Sequence, residues 1–124
     1  MKKTLLLMMV LLIASCNKPY TTTPSKTLVI TASSQTSISK FVFFIGRGTT
    51  QRVAGFTLFN LATPFTYNTT VAHVGDGISI TLVNSTNQPF TASLSADGVD
   101  IPSTASGLDN DGLYYIVWNA SVPN

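Results

Sequence analysis

The chemistry open to this chain is limited by its few ionisable side chains. The 124 residues include one His, one Cys, five acids and no Glu. The run His73-Val74-Gly75-Asp76 places a carboxylate near the histidine, as a Ser-His-Asp arrangement would need. No serine lies in a nucleophile-elbow pattern, however, and without a second His or any Glu the chain is poorly supplied for acid–base catalysis. We therefore predict that the protein is not an enzyme and that His73 is a strand-end residue.

Four of the five acids lie in the last third of the chain, where they suggest a second kind of chemistry. Asp109 and Asp111 lie in the run Leu108-Asp109-Asn110-Asp111-Gly112, and Asp97 and Asp100 precede them. Calcium takes six to eight oxygen ligands, which two side chains and loop carbonyls would supply only in part, and the EF-hand spacing is absent. Asp-Asn-Asp-Gly also favours a turn by itself. We predict a turn, no cofactor, and Asp109 and Asp111 as a weak calcium candidate.

The amino-terminal segment has the pattern of a secretory signal. Lys2 and Lys3 precede nine apolar residues, 5–13, which are too few to cross about 30 Å of hydrocarbon. The next residues, Ile13-Ala14-Ser15-Cys16, resemble the bacterial lipobox. This resemblance implies cleavage before Cys16 and lipidation of its sulfur, which leaves no thiol for a disulfide. We expect a signal peptide at 1–15, a lipidated Cys and flexible tether at 16–26, and a domain at 27–124.

The residues after the cysteine bear on the location of the protein. Asn17 is not the Asp that retains lipoproteins in the inner membrane of other Gram-negative bacteria, so the outer membrane is favoured. Lys18-Pro19-Tyr20 lacks the acidic run that marks surface export in Bacteroidota lipoproteins, which this chain resembles in signal and composition. We expect a lipid anchor in the outer membrane with the domain facing the periplasm. The alternative is the cell surface.

Charge argues against a nucleic acid as a partner. Without Lys2 and Lys3, five bases face five acids, and no block of like charge is present. Every remaining base lies before residue 53 and every acid after residue 75. We interpret this segregation as a weak dipole across a small domain.

Apolar residues after Lys26 alternate with polar ones, which is typical of strands with one buried face. The clearest case is the run 78–83, and Asp97-Gly98 is the strongest hairpin signal. The pattern predicts an all-β fold, an antiparallel immunoglobulin-like β-sandwich of seven or eight short strands. The expected strands are 27–32, 40–45, 55–61, 65–74, 78–83, 90–96, 99–101 and 113–118.

Two of these strands, 40–45 and 113–118, are apolar or aromatic on both faces. One face of every strand in a two-layer sandwich points away from the core, so each should present apolar area to a partner, unless the tether, a loop or a neighbouring sheet covers it. The predicted partner patch consists of aromatic residues from both strands: Phe41, Phe43, Tyr114, Tyr115 and Trp118.

The order of turns and strands in 64–116 resembles the ectodomain of the MmpS-type accessory proteins of mycobacterial lipid transporters. The shared features are a Pro-aromatic start, an alternating strand, the run 91–99 and a final Gly-plus-Tyr strand. The chain departs from that family because a lipid anchor replaces the membrane helix and the paired cysteines are missing. The resemblance implies a small sandwich that docks on an export complex.

Two functions follow from these patterns. The first is a non-enzymatic docking or accessory module for an envelope complex, held at the membrane by its lipid. The alternative is a module that binds a small ligand, glycan or calcium, through the Asp-rich loops at 97–111.

Overall fold

The computed structural model describes residues 24–124, which form strands and turns with no helix. No part of this described range forms a helix long and apolar enough to cross a membrane. The nine strands are β1 (Ser25–Ser33), β2 (Ile38–Arg47), β3 (Gln51–Leu61), β4 (Phe65–His73), β5 (Gly77–Asn84), β6 (Thr91–Ala96), β7 (Val99–Ile101), β8 (Ala105–Leu108) and β9 (Tyr114–Ser121).

The strands form two antiparallel sheets, with orders β4-β1-β6-β7 and β3-β2-β5-β9-β8, which confirms the predicted β-sandwich. The number of strands is one more than the upper expectation. The missed strand is β8, whose sequence Ala-Ser-Gly-Leu has none of the β-branched or aromatic residues that mark strands. At the other end of the fold, β1 begins at Ser25, so Ser25 and Lys26 pair with β4 although we expected them in the tether.

The core lies between the sheets and follows the alternation of side chains. On β1 the buried residues are Leu28, Ile30 and Ala32, and across the sheet Ile30 pairs with Leu94 of β6. In the facing sheet Phe43 of β2 pairs with the buried Ile80 of β5. Because side chains alternate between the two faces of a strand, these buried positions identify the remaining positions as the outer faces of the sandwich.

The Asp97-Gly98 turn joins β6 and β7 as the sequence predicts. Both residues have positive φ, 48° and 80°, as a type I′ hairpin turn requires. The Asp97 side chain accepts a hydrogen bond from the backbone N–H of Thr27 at 2.8 Å and lies 3.5 Å from the Lys26 ammonium. The turn is therefore fixed to the start of β1.

The two ends of the sandwich differ in what they carry. The entry end contains the start of β1, the end of β2 at Arg47, the β4–β5 turn with Asp76, and the β6–β7 turn. Backbone hydrogen bonds from Val74 to Pro24 and from Val122 to Asp76 close it. The far end contains the loops at 34–37, 62–64, 85–90 and 109–113. The chain thus enters the domain at one end, and most of its longer loops lie at the other.

Candidate docking surface

Three residues of the predicted partner patch lie in the core, so that part of the prediction is wrong. Phe41 is 0%, Phe43 1% and Trp118 1% exposed. The two phenylalanines occupy the inner face of β2 and pack against the aromatic rings of Phe65 and Tyr67 from the facing sheet, with ring centroids 5.3 Å apart in the Phe41–Phe65 and Phe43–Tyr67 pairs. The sequence showed two apolar faces on this strand but not which of them pointed inward.

Trp118 is held inward by a polar contact as well as by packing. Its indole N–H donates to the backbone carbonyl of Ile101 on β7, at 3.1 Å. A buried indole needs such an acceptor, and here the acceptor belongs to the opposite sheet. The residue therefore joins the two layers and offers nothing to a partner.

The two tyrosines of the predicted patch point to opposite faces. Tyr114 is half-buried at the rim of the core, where its ring meets Phe90 edge-on at 6.0 Å. Tyr115 follows it and therefore lies on the outer face of β9, opposite Val83 of β5. Of the five predicted residues, Tyr115 is the one that lies on the outer face of a sheet.

The outer face of the five-stranded sheet nevertheless carries an apolar surface. Cross-strand pairing aligns Phe59, Lys40, Val83 and Tyr115 in one row. The next two rows are Thr57, Val42, Thr81 and Val117, and Gly55, Phe44, Ser79 and Asn119. We call this surface the five-strand face; its apolar members are Val42, Phe44, Phe59, Val83, Tyr115 and Val117.

Exposure on the five-strand face is concentrated in two phenylalanines. Phe59 is 64% and Phe44 40% exposed, whereas Val83 is only 6% exposed although it lies outside the core cluster. Small neighbours surround Phe44: Gly55 is its cross-strand partner on β3, and a Cβ on Gly46 would lie 3.1 Å from the Phe44 ring. The Phe44 ring is therefore bordered by the backbone of Gly46 and by the Arg52 guanidinium, which lies over Gly55.

The outer face of the four-stranded sheet is chemically different. Its rows place Thr66, Thr31 and Ser93 together, and Asn68, Val29 and Ser95 beside them. The hydroxyls of Thr31 and Ser93 are hydrogen-bonded to each other at 2.5 Å. We call this surface the four-strand face. Among residues 24–124 this sheet has no exposed aromatic side chain, although Val71 of β4 and Val99 of β7 are 45% and 53% exposed, so exposed phenylalanines are confined to the other side of the sandwich.

The His73–Asp76 arrangement is structural. Asp76 is 2% exposed, and its two carboxylate oxygens accept hydrogen bonds from Arg47 Nε and Nη2, each at 2.9 Å. His73 contributes its backbone N–H, at 2.8 Å, rather than its imidazole. The Arg47 guanidinium holds the pKa of the Asp76 carboxyl below its usual range, against the opposing effect of burial. With its carboxylate bound in this way, Asp76 does not orient the imidazole.

The Asp-rich loops do not form one site. Asp97 lies at the entry end beside Lys26, whereas Asp109 and Asp111 lie in the β8–β9 turn at the far end. Asp109 Oδ1 accepts from the backbone N–H groups of Asp111 and Leu113, both at 2.9 Å, so this segment is a turn capped by its own side chain. Within residues 24–124 no three His, Cys, Asp or Glu side chains gather as a metal site would require.

A cavity of about 360 Å³ opens at the far end between the loops at 34–37 and 85–90. Its polar wall is engaged in holding Asn84, which is fully buried. The Asn84 amide oxygen accepts from the hydroxyls of Ser34 and Thr36, each at 3.0 Å, and its nitrogen donates to the Gln88 carbonyl at 2.8 Å. The Ser34, Thr36 and Gln88 groups that line the cavity thus hold Asn84 in place.

Comparison of the chain with protein-family models, with curated proteins and with solved structures found no match. Cys16, the predicted site of lipidation, lies outside the described residues.

Proposed function

We propose that this protein is a membrane-anchored periplasmic lipoprotein whose sandwich acts as a non-enzymatic docking module for an envelope protein complex, with the five-strand face as its contact surface. The observation that carries the docking proposal is the pair Phe44 and Phe59, exposed on one outer face while the opposite outer face is rich in hydroxyl groups. Aromatic anchors in the centre of a contact contribute most of its binding energy.

The anchor rests on the lipobox resemblance of Ile13-Ala14-Ser15-Cys16. One acyl chain binds a bilayer reversibly, whereas two or three hold a protein permanently, so a lipidated Cys16 needs no membrane-spanning segment. The resemblance of 64–116 to MmpS-type ectodomains favours an export complex as the partner. The outer membrane, with the domain in the periplasm, is the proposed location, and the cell surface is the alternative.

The position of the chain entry suits such an anchor. The eight residues from 17 to 24 reach at most about 26 Å when extended, at roughly 3.3 Å per residue. An anchor on Cys16 would therefore keep the entry end near the bilayer. The five-strand face runs along the length of the sandwich, so it would remain open to a neighbour in the same envelope.

The anchor is tested by labelling growing cells with a clickable palmitate analogue. The wild-type chain should incorporate the label and fractionate with outer membranes. Cys16→Ser should remain uncleaved and unlabelled. A mature wild-type protein that carries a free thiol at Cys16 would refute lipidation.

The docking surface is tested by photo-crosslinking in intact envelopes. A photoreactive amino acid at position 44 of the five-strand face should crosslink to one recurrent protein, and the same group at position 31 of the four-strand face should not. Tyr115→Asp should abolish the crosslink from position 44, whereas Thr66→Asp on the opposite face should preserve it. Crosslinks from position 44 to lipid instead of protein would place this face on the bilayer and contradict docking.

A further inference from the structure

The strand β3 is an edge of the five-stranded sheet and is unusually open to pairing. It is 11 residues long, whereas the opposite edge of the same sheet, β8, has four residues. Proteins protect long edges with proline, charge, β-bulges or a covering segment. The pairing of β3 with β2 has a register shift opposite Ile45 and Gly46, and Asn60 has a positive φ of 55°, so the regular stretch of β3 is 54–59. β3 contains no proline, and its one charged residue, Arg52, lies near its start. The run from Val53 to Leu61 has no charge.

Two consecutive residues of β3 are exposed on opposite faces of the sheet. Leu58 pairs with the fully buried Phe41, so it points toward the core, yet it is 39% exposed because no strand of residues 24–124 lies beyond it. Phe59 points outward and is 64% exposed. A globular partner seated on the five-strand face would cover only Phe59. A strand added alongside β3 would cover both.

The edge already binds one hydrogen-bond donor. Arg52 Nη2 donates to the Gly55 carbonyl at 2.6 Å, and the guanidinium lies across the strand, because a Cβ on Gly55 would be 2.7 Å from that nitrogen. The arginine reaches three residues along an 11-residue strand. The other outward groups of β3 have no such side-chain donor among residues 24–124.

The charge around this edge defines what kind of segment it would take. Lys40, opposite Phe59, and Arg52 form no ion pair with any described residue. Three acids are likewise outside the two ion pairs: Asp100, Asp109 and Asp111. They lie on or next to β7 and β8, on the opposite side of the sandwich. The β3 side is therefore basic, and a strand carrying acidic residues complements it.

From the open edge, the two exposed residues and the basic flank, we infer that β3 takes an extended, acidic segment of a partner polypeptide as a sixth strand of the five-stranded sheet. Backbone hydrogen bonds provide the register, and two consecutive side chains of the added strand, which point to opposite faces, cover Leu58 and Phe59. This inference rests on the proposed docking function and names the form of the partner.

A second copy of the chain fits this edge less well. Two β3 strands paired antiparallel would point the two entry ends in opposite directions, about 37 Å apart for 11 residues at roughly 3.4 Å each, while both lipids must reach one bilayer. The other edge strands of a second copy do not supply an extended acidic strand for β3 either. β7 and β8 are only three and four residues long, and β4 has no acidic residue.

The test uses the full-length lipidated chain in detergent micelles and a fluorescent synthetic peptide of about nine residues, a common strand length, with alternating Val and Thr and an Asp at each end. Three peptides are compared: this one, its Lys-ended counterpart, and the Asp-ended sequence with alternate backbone nitrogens methylated. We expect the Asp-ended peptide to bind in fluorescence anisotropy and to slow amide exchange along β3. The Lys-ended peptide should bind about tenfold more weakly, and the methylated one should not bind.

Variants locate the binding site. Leu58→Asp and Phe59→Asp should each lower the affinity for the Asp-ended peptide by about tenfold or more. Leu108→Asp is the matched control, because Leu108 is 58% exposed on the opposite edge of the same sheet. Phe44→Asp should leave peptide affinity unchanged while abolishing docking on the five-strand face, which separates a failure of this inference from a failure of the proposed function.

Several results would overturn the inference. They are the absence of peptide binding at millimolar concentration, equal binding of the methylated peptide, and an equal loss of affinity in Leu108→Asp. The inference would also be overturned if the peptide slowed amide exchange elsewhere in the domain but not along β3. A concentration-dependent dimer in sedimentation, lost in Leu58→Asp, would identify a second copy of the chain as the occupant instead.

Discussion

The buried carboxylate of Asp76 gives the sharpest prediction about stability. The carboxylate accepts two hydrogen bonds from Arg47 and one from the backbone N–H of His73. The backbone N–H of Asp76 donates to the His73 carbonyl, and the Asp76 carbonyl accepts from the Val122 N–H. Asp76→Ala removes the side-chain bonds and leaves the His73 N–H without its acceptor. We expect the variant to lose about 3 kcal/mol of unfolding free energy, the lower end of the range for breaking a buried ion pair, because Arg47 is a third exposed and regains water.

Such a loss is measurable by urea denaturation at neutral pH. With a slope of about 1.5 kcal/mol per molar urea, the unfolding midpoint should fall by about 2 M. Asp76→Asn should lose less, because its amide oxygen still accepts from His73. The matched control is Asp100→Ala, which removes an exposed carboxylate in no ion pair among residues 24–124 and should stay within about 0.5 kcal/mol of wild type.

The pH dependence distinguishes the ion pair from a packing effect. Because Arg47 lowers the pKa of Asp76 in the folded state, the carboxylate stabilises the fold above its unfolded pKa of about 3.9. That contribution is lost as pH falls through the lowered folded-state value. The difference between wild type and Asp76→Ala should therefore shrink from pH 7 to acidic pH. A difference that stays constant over this range would refute the electrostatic account.

Three further predictions concern single contacts, each measured by urea denaturation. Trp118→Phe should cost about 1 to 3 kcal/mol of unfolding free energy, because the Ile101 carbonyl loses its donor in the core. In the wild type, the fluorescence of Trp118 should shift to the red on unfolding. Gly98→Ala should cost about 1 to 2 kcal/mol, because its φ of 80° strains any residue with a Cβ, whereas Gly77→Ala, in an exposed strand position without positive φ, should be nearly neutral. Asn84→Ala should cost at least about 2 kcal/mol, because it orphans the Gln88 carbonyl and removes the acceptor of the Ser34 and Thr36 hydroxyls. The exposed Asn87→Ala should have no measurable effect.

Local patterns predicted the strands and the hairpin turn, but long-range contacts decided which aromatic residues were exposed. Alternation at 78–83 and the Asp97-Gly98 pair depend on neighbours in the sequence, and both appear as predicted. In β2, apolar residues occupy both faces, so the sequence left two choices. The buried face of β2 is determined by packing, because Phe65 and Tyr67 of the facing sheet contact Phe41 and Phe43. No pattern within β2 contains that information.

The same limit applies to the edges of the sheets. The sequence indicated a strand at 55–61, but the strand order arises from pairings between distant segments, and among the described strands β3 has β2 as its one sheet neighbour. The exposure of Leu58 is a consequence of that order, because the same residue in the middle of the sheet would be covered on both sides. β8 was missed for a related reason. It pairs with β9 through a strand of small residues whose own sequence is not strand-like.

The distribution of polar contacts separates the proposed anchor from the proposed docking surface. The described ion pairs, Arg47–Asp76 and Lys26–Asp97, both lie at the entry end, where the chain leaves toward Cys16. They fix the start of β1 and the β4–β5 turn, the parts of the fold next to the chain entry. The β3 edge and the five-strand face carry Lys40 and Arg52 outside any described ion pair, and their positive charges would attract an acidic partner. A partner that bound there would bury Phe59 without disturbing the contacts that hold the domain to its tether.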